Sequence, residues 1–138
     1  MFISITAFSK TIVVVDKGST KTTPGIGGNT QIGYAFAKGD VVTIDARAEK
    51  QLERMIVYVF PEQVLGRKTY TKHAKLSFTM PDDGIVVFRF ISDRAGTNTI
   101  QYSVTRMPGS DETQHYSTKV EWQKPNDFSG TLIPKRAD

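Results

Sequence analysis

The stretch Lys75–Arg106, KLSFTMPDDGIVVFRFISDRAGTNTIQYSVTR, decides the fold class of this chain. Apolar residues alternate with polar ones in three runs, and the turn residues PDDG at 81–84 separate the first run from the second. In the first run Leu76, Phe78 and Met80 fall on one face of a strand, and the polar residues between them fall on the other. The pattern predicts three consecutive antiparallel strands.

The same kind of pattern outside this stretch predicts further strands and the loops between them. The expected strands are Thr11–Asp16, Gln31–Ala37, Val41–Arg47, a run from Leu52 or Arg54 to Phe60, and Tyr116–Trp122. The expected loops are residues 17–29, 49–51, 61–73 and 107–114, of which 61–73 is a crossover from one sheet to another. Met55–Phe60 is apolar on both faces and is expected to be a central strand. About eight strands predict an all-β domain, a two-sheet antiparallel sandwich of jelly-roll or Greek-key type.

Length and composition favour one autonomously folding domain. The chain has 138 residues, 38% of them hydrophobic, and no cysteine, which excludes disulfides, thiolate nucleophiles and cysteine-based zinc sites. A net charge of +4 is common among soluble domains, and we expect no nucleic-acid partner. No segment approaches the roughly 18 to 20 consecutive apolar residues of a membrane span.

The two ends of the chain are expected to differ from its middle. Residues 1–9 are apolar and are either a first strand or the remnant of an export signal, and the second alternative places the mature protein outside the cytoplasm. Residues 10–122 form the predicted sandwich. Residues 123–138 contain two prolines and no apolar period, which is typical of a tail or linker.

Two segments, FAKGDVVTIDARAEKQLERMIVYVFP and LSFTMPDDGIVVFRFISDRAGTNTIQYSVTR, carry a resemblance to a known family. The first resembles the Gly-Asp turn and following strand of the jelly-roll accessory modules of secreted bacterial proteins, such as the pre-peptidase C-terminal domain. The second is similar to the later strands of that family and to the GOLD-type sandwich. The matching positions are Gly39-Asp40, Phe78-Thr79-Met80-Pro81, Gly84, Phe88-Arg89-Phe90 and Tyr102-Ser103-Val104.

The resemblance covers residues 36 to 106 and implies a scaffold more than a site. It implies a noncatalytic bacterial module, periplasmic, at the cell surface or secreted, that binds a partner or assists export and folding.

The residues themselves offer no catalytic constellation. His73 and His115, the two histidines, are expected in surface loops, so a metal site or a serine-histidine-aspartate triad would need partners from distant segments. Neighbouring Asp82 and Asp83 belong to a Pro-Asp-Asp-Gly turn and serve that turn. We therefore expect no enzymatic activity.

Two groups of side chains are candidate ligand-binding residues. Arg67, Lys68 and Lys72 surround Tyr70, a combination that could hold phosphate and stack on a ring, although the pattern favours a solvated loop or edge strand. Tyr116 and Trp122 share one face of the last predicted strand. That face is either part of the core or an exposed aromatic patch suited to a carbohydrate or protein partner.

No cofactor is expected, with calcium as the one alternative. Asp16, Asp93 and Asn98 are loop oxygens that could converge on a hard cation, although the chain lacks an Asp-x-Asp-x-Asp ladder. Arg89 is expected on a solvent face, exposed or half-exposed, and the alternative is burial against Asp45 or Glu121.

Two functions remain open at this level. One is a noncatalytic extracytoplasmic binding module for a protein or glycan partner. The other is a structural subunit of a surface or extracellular assembly, joined through strand edges. The sequence leaves the oligomeric state open, and size in solution separates the two.

Overall fold

The structure is a computed structural model that describes residues 10–23, 28–92, 96–110, 113, 116–117 and 135–136. The regular elements of this described part are all β-strands. They are β1 (Ile12–Thr22), β2 (Asn29–Phe36), β3 (Val41–Val59), β4 (Gln63–Thr79), β5 (Gly84–Ile91), β6 (Asn98–Met107), β7 (Tyr116–Ser117) and β8 (Lys135–Arg136). The all-β prediction is confirmed. The predictions for residues 1–9, His115 and Trp122, and for most of 118–138, lie outside the described residues.

The long strand β3 organises the molecule. Along one side it pairs with β4 at 14 of its 19 residues, with a register shift between Arg47 and Leu52. Along the other side its first part, Val41–Ala48, pairs with β6, and its second part, Arg54–Val59, pairs with β5. β1 then pairs with β6 and β2 with β5, all antiparallel, so six strands form one hydrogen-bonded sheet with two arms.

This sheet is curled, because the outer strands of the two arms approach each other. The hydroxyl oxygens of Thr20 on β1 and Thr30 on β2 are 3.4 Å apart. Two separate sheets are not confirmed, since β3 passes from one arm to the other without interruption. The three strands predicted from Lys75–Arg106 are present, but each pairs with β3 instead of with the next.

Three predicted loops need correction. The segment 61–73 is a strand from Gln63 onward, and a tight turn at Phe60–Glu62, with a cis Phe60–Pro61 bond, joins it to β3. Its polar residues are those of a strand with little core contact, a pattern that resembles a loop in sequence. Likewise the predicted loop at 17–29 is wrong in its first part, because β1 continues to Thr22 after register shifts before Gly18. The residues of this part are polar because they lie on an edge strand, not because the chain turns there. Residues 49–51 also remain within β3, although the register with β4 shifts there.

The core lies inside the curl. Its buried side chains are Phe36, Val42, Ile44, Ala46, Leu52, Met55, Val57, Ala74, Met80, Val86, Phe88, Phe90, Ile100, Tyr102 and Val104. The rings of Tyr34 and Phe78 each lie 6.4 Å from the ring of Phe88, between centroids. Burial raises the pKa of Tyr34, and a hydrogen bond with Tyr102 raises it further.

The alternation predicted for the Lys75 run is confirmed. Met80 is buried and Leu76 and Phe78 are half-buried, while the polar residues between them are exposed. β3 is central, as predicted for Met55–Phe60, yet its two faces differ, because Met55 is fully buried and Ile56 half-buried. Burial on both faces occurs instead in β5, where residues 85–88 are all buried.

Candidate binding surface on β4

β4 is an edge strand whose charged side chains are all positive. Among the described strands it pairs only with β3, so its other side faces outward. Its sequence, QVLGRKTYTKHAKLSFT, has four lysine and arginine residues and no carboxylate. We call the exposed side chains of Arg67, Lys68, Tyr70 and Lys72 the β4 basic cluster. The structure therefore brings four of the six predicted binding residues together.

Tyr70 is the most unusual residue of this cluster. Its side chain is 65% exposed, and its φ of 50° lies in the left-handed region that non-glycine residues rarely adopt. The residues on either side, Thr69 and Thr71, pair with Arg54 and Leu52 of β3. Gln51 Nε2 donates a hydrogen bond of 3.0 Å to the Tyr70 carbonyl oxygen. A large ring is thus presented to solvent from a backbone conformation that costs of order 1–3 kcal/mol.

The cations around Tyr70 lie on both faces of the strand. Arg67 pairs with Ile56 on the outer face of β3, whereas Lys68 pairs with Met55, which points into the core. Both side chains are nevertheless exposed. A partner that approaches β4 from the side would therefore meet positive charge above and below the strand.

His73 is placed in a strand instead of the predicted loop. Its Nε2 lies 2.7 Å from Asp45 Oδ1, and the two side chains are 45% and 31% exposed. The nearby hydroxyls of Thr43 and Ser77 are hydrogen-bonded to each other at 2.8 Å. The expectation of a surface histidine is confirmed, but its carboxylate partner was missed, because the pair forms only once β3 and β4 are in register.

Tyr116 and the β4 basic cluster are in different parts of the structure. Tyr116 belongs to β7, which pairs with β8 and contacts β2, at the end of the sheet path beyond β5. Trp122 lies outside the described residues. The predicted Tyr116 and Trp122 patch stays a prediction.

The predicted calcium ligands do not converge where they are described. Asn98 is buried, and its side-chain amide bonds the backbone N–H and C=O of Lys50, both at 2.9 Å, and the Ser92 hydroxyl at 3.3 Å. It pairs with Thr22 at one end of β1, whereas exposed Asp16 lies roughly 15–20 Å away along that strand. Asp93 lies outside the described residues. Within the described part, no three histidine, aspartate or glutamate side chains cluster as metal ligands would.

Arg89 is half-exposed, as expected. Its Nε donates a 3.2 Å hydrogen bond to Asn29 Oδ1 on the neighbouring strand. Burial raises the pKa of Tyr58, and the nearby positive charge of Arg89 opposes part of that rise.

A buried ion pair between Asp40 and Arg106 was not predicted. The Arg106 side chain is 2% exposed and that of Asp40 is fully buried, with Arg106 Nη1 3.2 Å from Asp40 Oδ2. The Ala37 N–H also donates to Asp40 Oδ2 at 3.0 Å, and Arg106 Nη1 donates to the Thr113 carbonyl oxygen at 3.0 Å. Burial raises the pKa of Asp40, although Arg106 and the backbone N–H groups lower it in part. The Gly39-Asp40 turn before a strand was the sequence signal for this position.

Comparison with known proteins gives structural likeness and no family. No protein-family model matches the chain, and no curated protein matches it. The resemblance to the pre-peptidase C-terminal domain is therefore not confirmed.

Several solved structures are similar to the chain at low identity. One is PliG of Aeromonas hydrophila, a periplasmic inhibitor of g-type lysozyme, with 12% identity, a TM-score of 0.47, and coverage of 76% of this chain and 91% of PliG. The carbohydrate-binding module BiXyn10A CBM1, in its apo form, has 19% identity and a TM-score of 0.35, covering 54% of this chain and 60% of the module. The VP2 subviral particle of infectious bursal disease virus has 11% identity and a TM-score of 0.44, covering 76% of this chain and 33% of VP2.

No helix in the described part of the chain is long and apolar enough to cross a membrane.

Proposed function

We propose that this chain is a noncatalytic binding module that holds an anionic partner along β4, with Tyr70 as the central contact. The observation that carries the proposal is the 65% exposed ring of Tyr70, held at a φ of 50° among three exposed cations. Exposed aromatic and arginine side chains are the groups that most often dominate binding energy at protein surfaces.

Protection of a sheet edge is the alternative explanation for the cations on β4. Lysine on an edge strand does prevent unwanted strand pairing. Edge protection, however, gives no reason to expose large apolar side chains, and β4 exposes Tyr70 and also Val64, which is 49% exposed. A strained backbone that lifts an aromatic ring into solvent fits a contact residue better than a protective one.

The proposal includes neither catalysis nor a cofactor. The ring of His73 pairs with Asp45 through Nε2, and the hydroxyls of Thr43 and Ser77 are hydrogen-bonded to each other. Calcium remains an untested hypothesis. An extracytoplasmic location, which would follow if residues 1–9 are the remnant of an export signal, is likewise part of the proposal.

The test uses the full chain and two anionic probes, a sulfated oligosaccharide and a poly-glutamate peptide. Tyr70→Ala should weaken binding by about 1–2 kcal/mol, that is, about five- to thirtyfold, because the ring supplies contact area as well as polarity. Lys68→Glu/Lys72→Glu should weaken it at least as much, and wild-type affinity should fall as salt rises.

The control is Lys10→Glu/Lys21→Glu, which makes the same change in net charge at exposed lysines outside β4. It should leave binding within about twofold of wild type. Equal losses in the two double variants would show that net charge alone drives binding, and the proposal would then be wrong.

A further inference from the structure

We propose that the partner is an extended acidic polypeptide segment that adds to the sheet as a new strand along residues 74–79 of β4. This inference rests on the proposed function and identifies the class of anion. Three features of this segment indicate an acidic peptide strand and not another kind of anion. They are its regular backbone pairing, the alternation of its side chains between two faces, and its positive charge.

The geometry is that of a regular template. His73 to Thr79 pairs with Arg47 to Val41 without a register shift, whereas the pairing of β4 is irregular on the far side of this segment. Among the described strands β4 has no second neighbour. The His73 N–H donates to the Thr71 hydroxyl at 3.1 Å, and that hydroxyl donates to the His73 C=O at 2.8 Å. The straight row of backbone N–H and C=O groups offered to a new strand is therefore that of residues 74–79, about 20 Å long. Such an edge accepts an extended peptide through main-chain hydrogen bonds.

The side chains of the run alternate between two surfaces. His73, Lys75, Ser77 and Thr79 are exposed on the outer face. Leu76 and Phe78 point to the core face but are only half-buried, although Phe78 packs against Phe88. A strand docked beside them would cover this remaining apolar surface with every second side chain.

Charge selects the composition of the docked strand. Its outward side chains would lie beside Lys75, and one end of the strand would reach the β4 basic cluster, which ends at Lys72; β4 contains no carboxylate of its own. Acidic residues alternating with apolar ones therefore complement both faces of the edge. A second copy of β4 would bring lysine against lysine, so the charge on this edge disfavours self-pairing.

A sulfated glycan satisfies the charge but not the other two features. It lacks the repeating N–H and C=O groups that match a strand edge, and it has no apolar side chains to cover Leu76 and Phe78. The main-chain hydrogen bonds therefore provide the basis for an experiment.

The experiment measures binding of the full chain to a capped eight-residue peptide that alternates glutamate and valine. Two isomers of this peptide carry N-methyl groups, one on every glutamate nitrogen and the other on every valine nitrogen. In an added strand one set of N–H groups faces β4 and the other faces solvent. We expect one isomer to bind at least tenfold more weakly than the parent peptide, and the other to bind within about threefold of it.

A charge exchange tests the site. Lys75→Glu should weaken the glutamate peptide about threefold to tenfold and should favour a peptide with lysine in place of glutamate. Lys21→Glu, which changes an exposed lysine of β1, should do neither. Thermal unfolding of each variant establishes that it is folded.

The outcomes separate this inference from the proposed function. If both N-methyl isomers bind as well as the parent peptide, strand addition is wrong. Binding of the sulfated oligosaccharide through the β4 basic cluster without binding of the peptide would overturn the inference and leave the proposed function standing. If neither the peptide nor the oligosaccharide binds, both fall.

Discussion

At the scale of single residues, the notable contact is the buried Asp40–Arg106 ion pair. Asp40 joins the turn after β2 to β6, since its carboxylate accepts hydrogen bonds from Ala37 and Arg106, and its own backbone C=O accepts one from Met80 N–H at 2.9 Å. Burying two charges is costly, and removing one of them leaves the other without compensation. The sequence suggested only a turn here, because charge pairing across the fold leaves no local pattern.

Arg106→Met should therefore destabilise the protein by about 3–5 kcal/mol at pH 7, because Asp40 would remain buried and charged without its cation. Burial already raises the pKa of Asp40, so Asp40 binds a proton more tightly in the folded protein than in the unfolded chain. Stability from this group is thus present at low pH and is lost as pH rises through the folded-state pKa. Without Arg106 that pKa rises further, and the deficit should shrink as pH falls below neutrality.

Urea unfolding of wild type and variant between pH 5 and 8 measures this effect. The matched control is Asp40→Asn/Arg106→Met, which has no buried charge and should lose less stability, with no such pH dependence. An Arg106→Met deficit that is the same at pH 5 and pH 8 would contradict the assignment.

At the scale of elements, the notable feature is the passage of β3 from one arm of the sheet to the other. Between Ala48, its last partner position with β6, and Arg54, its first with β5, the side chain of Asn98 bonds the backbone of Lys50. Asn98 thus adds hydrogen bonds from its side-chain amide to β3 between the two stretches that pair with β6 and β5. Helix-forming residues in 46–55 made this segment ambiguous in sequence, and only its neighbours hold it extended.

Asn98→Ala should cost about 2–3 kcal/mol of stability, because two hydrogen bonds from a buried side chain to the backbone of half-buried Lys50 are lost at once. The measurement is urea unfolding combined with hydrogen exchange of the Lys50 amide, whose protection should fall. Asn29→Ala is the control, since Asn29 bonds half-exposed Arg89 through one contact and should cost less than about 1 kcal/mol. Equal losses in the two variants would contradict the proposed role of Asn98.

At the scale of the whole molecule, the edges of the sheet determine how copies of the chain can meet. β4 is positively charged, and β1, another edge, is interrupted by register shifts near Val15. Lysine and bulges are both features that oppose edge-to-edge pairing. Val13, 61% exposed on β1, is the feature that favours the alternative of a structural subunit.

We expect the full chain to be a monomer by light scattering at physiological salt. Raising the salt concentration screens the lysines, and a small increase in mass at high salt would be consistent with charge as the barrier. A defined oligomer at physiological salt, lost on Val13→Asp, would instead support the structural subunit.

The sequence by itself determined the all-β class and the inward face of the alternating runs such as Leu76–Met80, because alternation along one strand is a local property. It also predicted the cluster around Tyr70, since those residues are close in the chain. The tertiary structure alone decided that segment 61–73 is an edge strand, that β3 joins two arms of one sheet, and that Asp40 meets Arg106 and Asp45 meets His73. These features depend on which strands become neighbours, and neighbours distant in sequence leave no mark in the local pattern of polar and apolar residues.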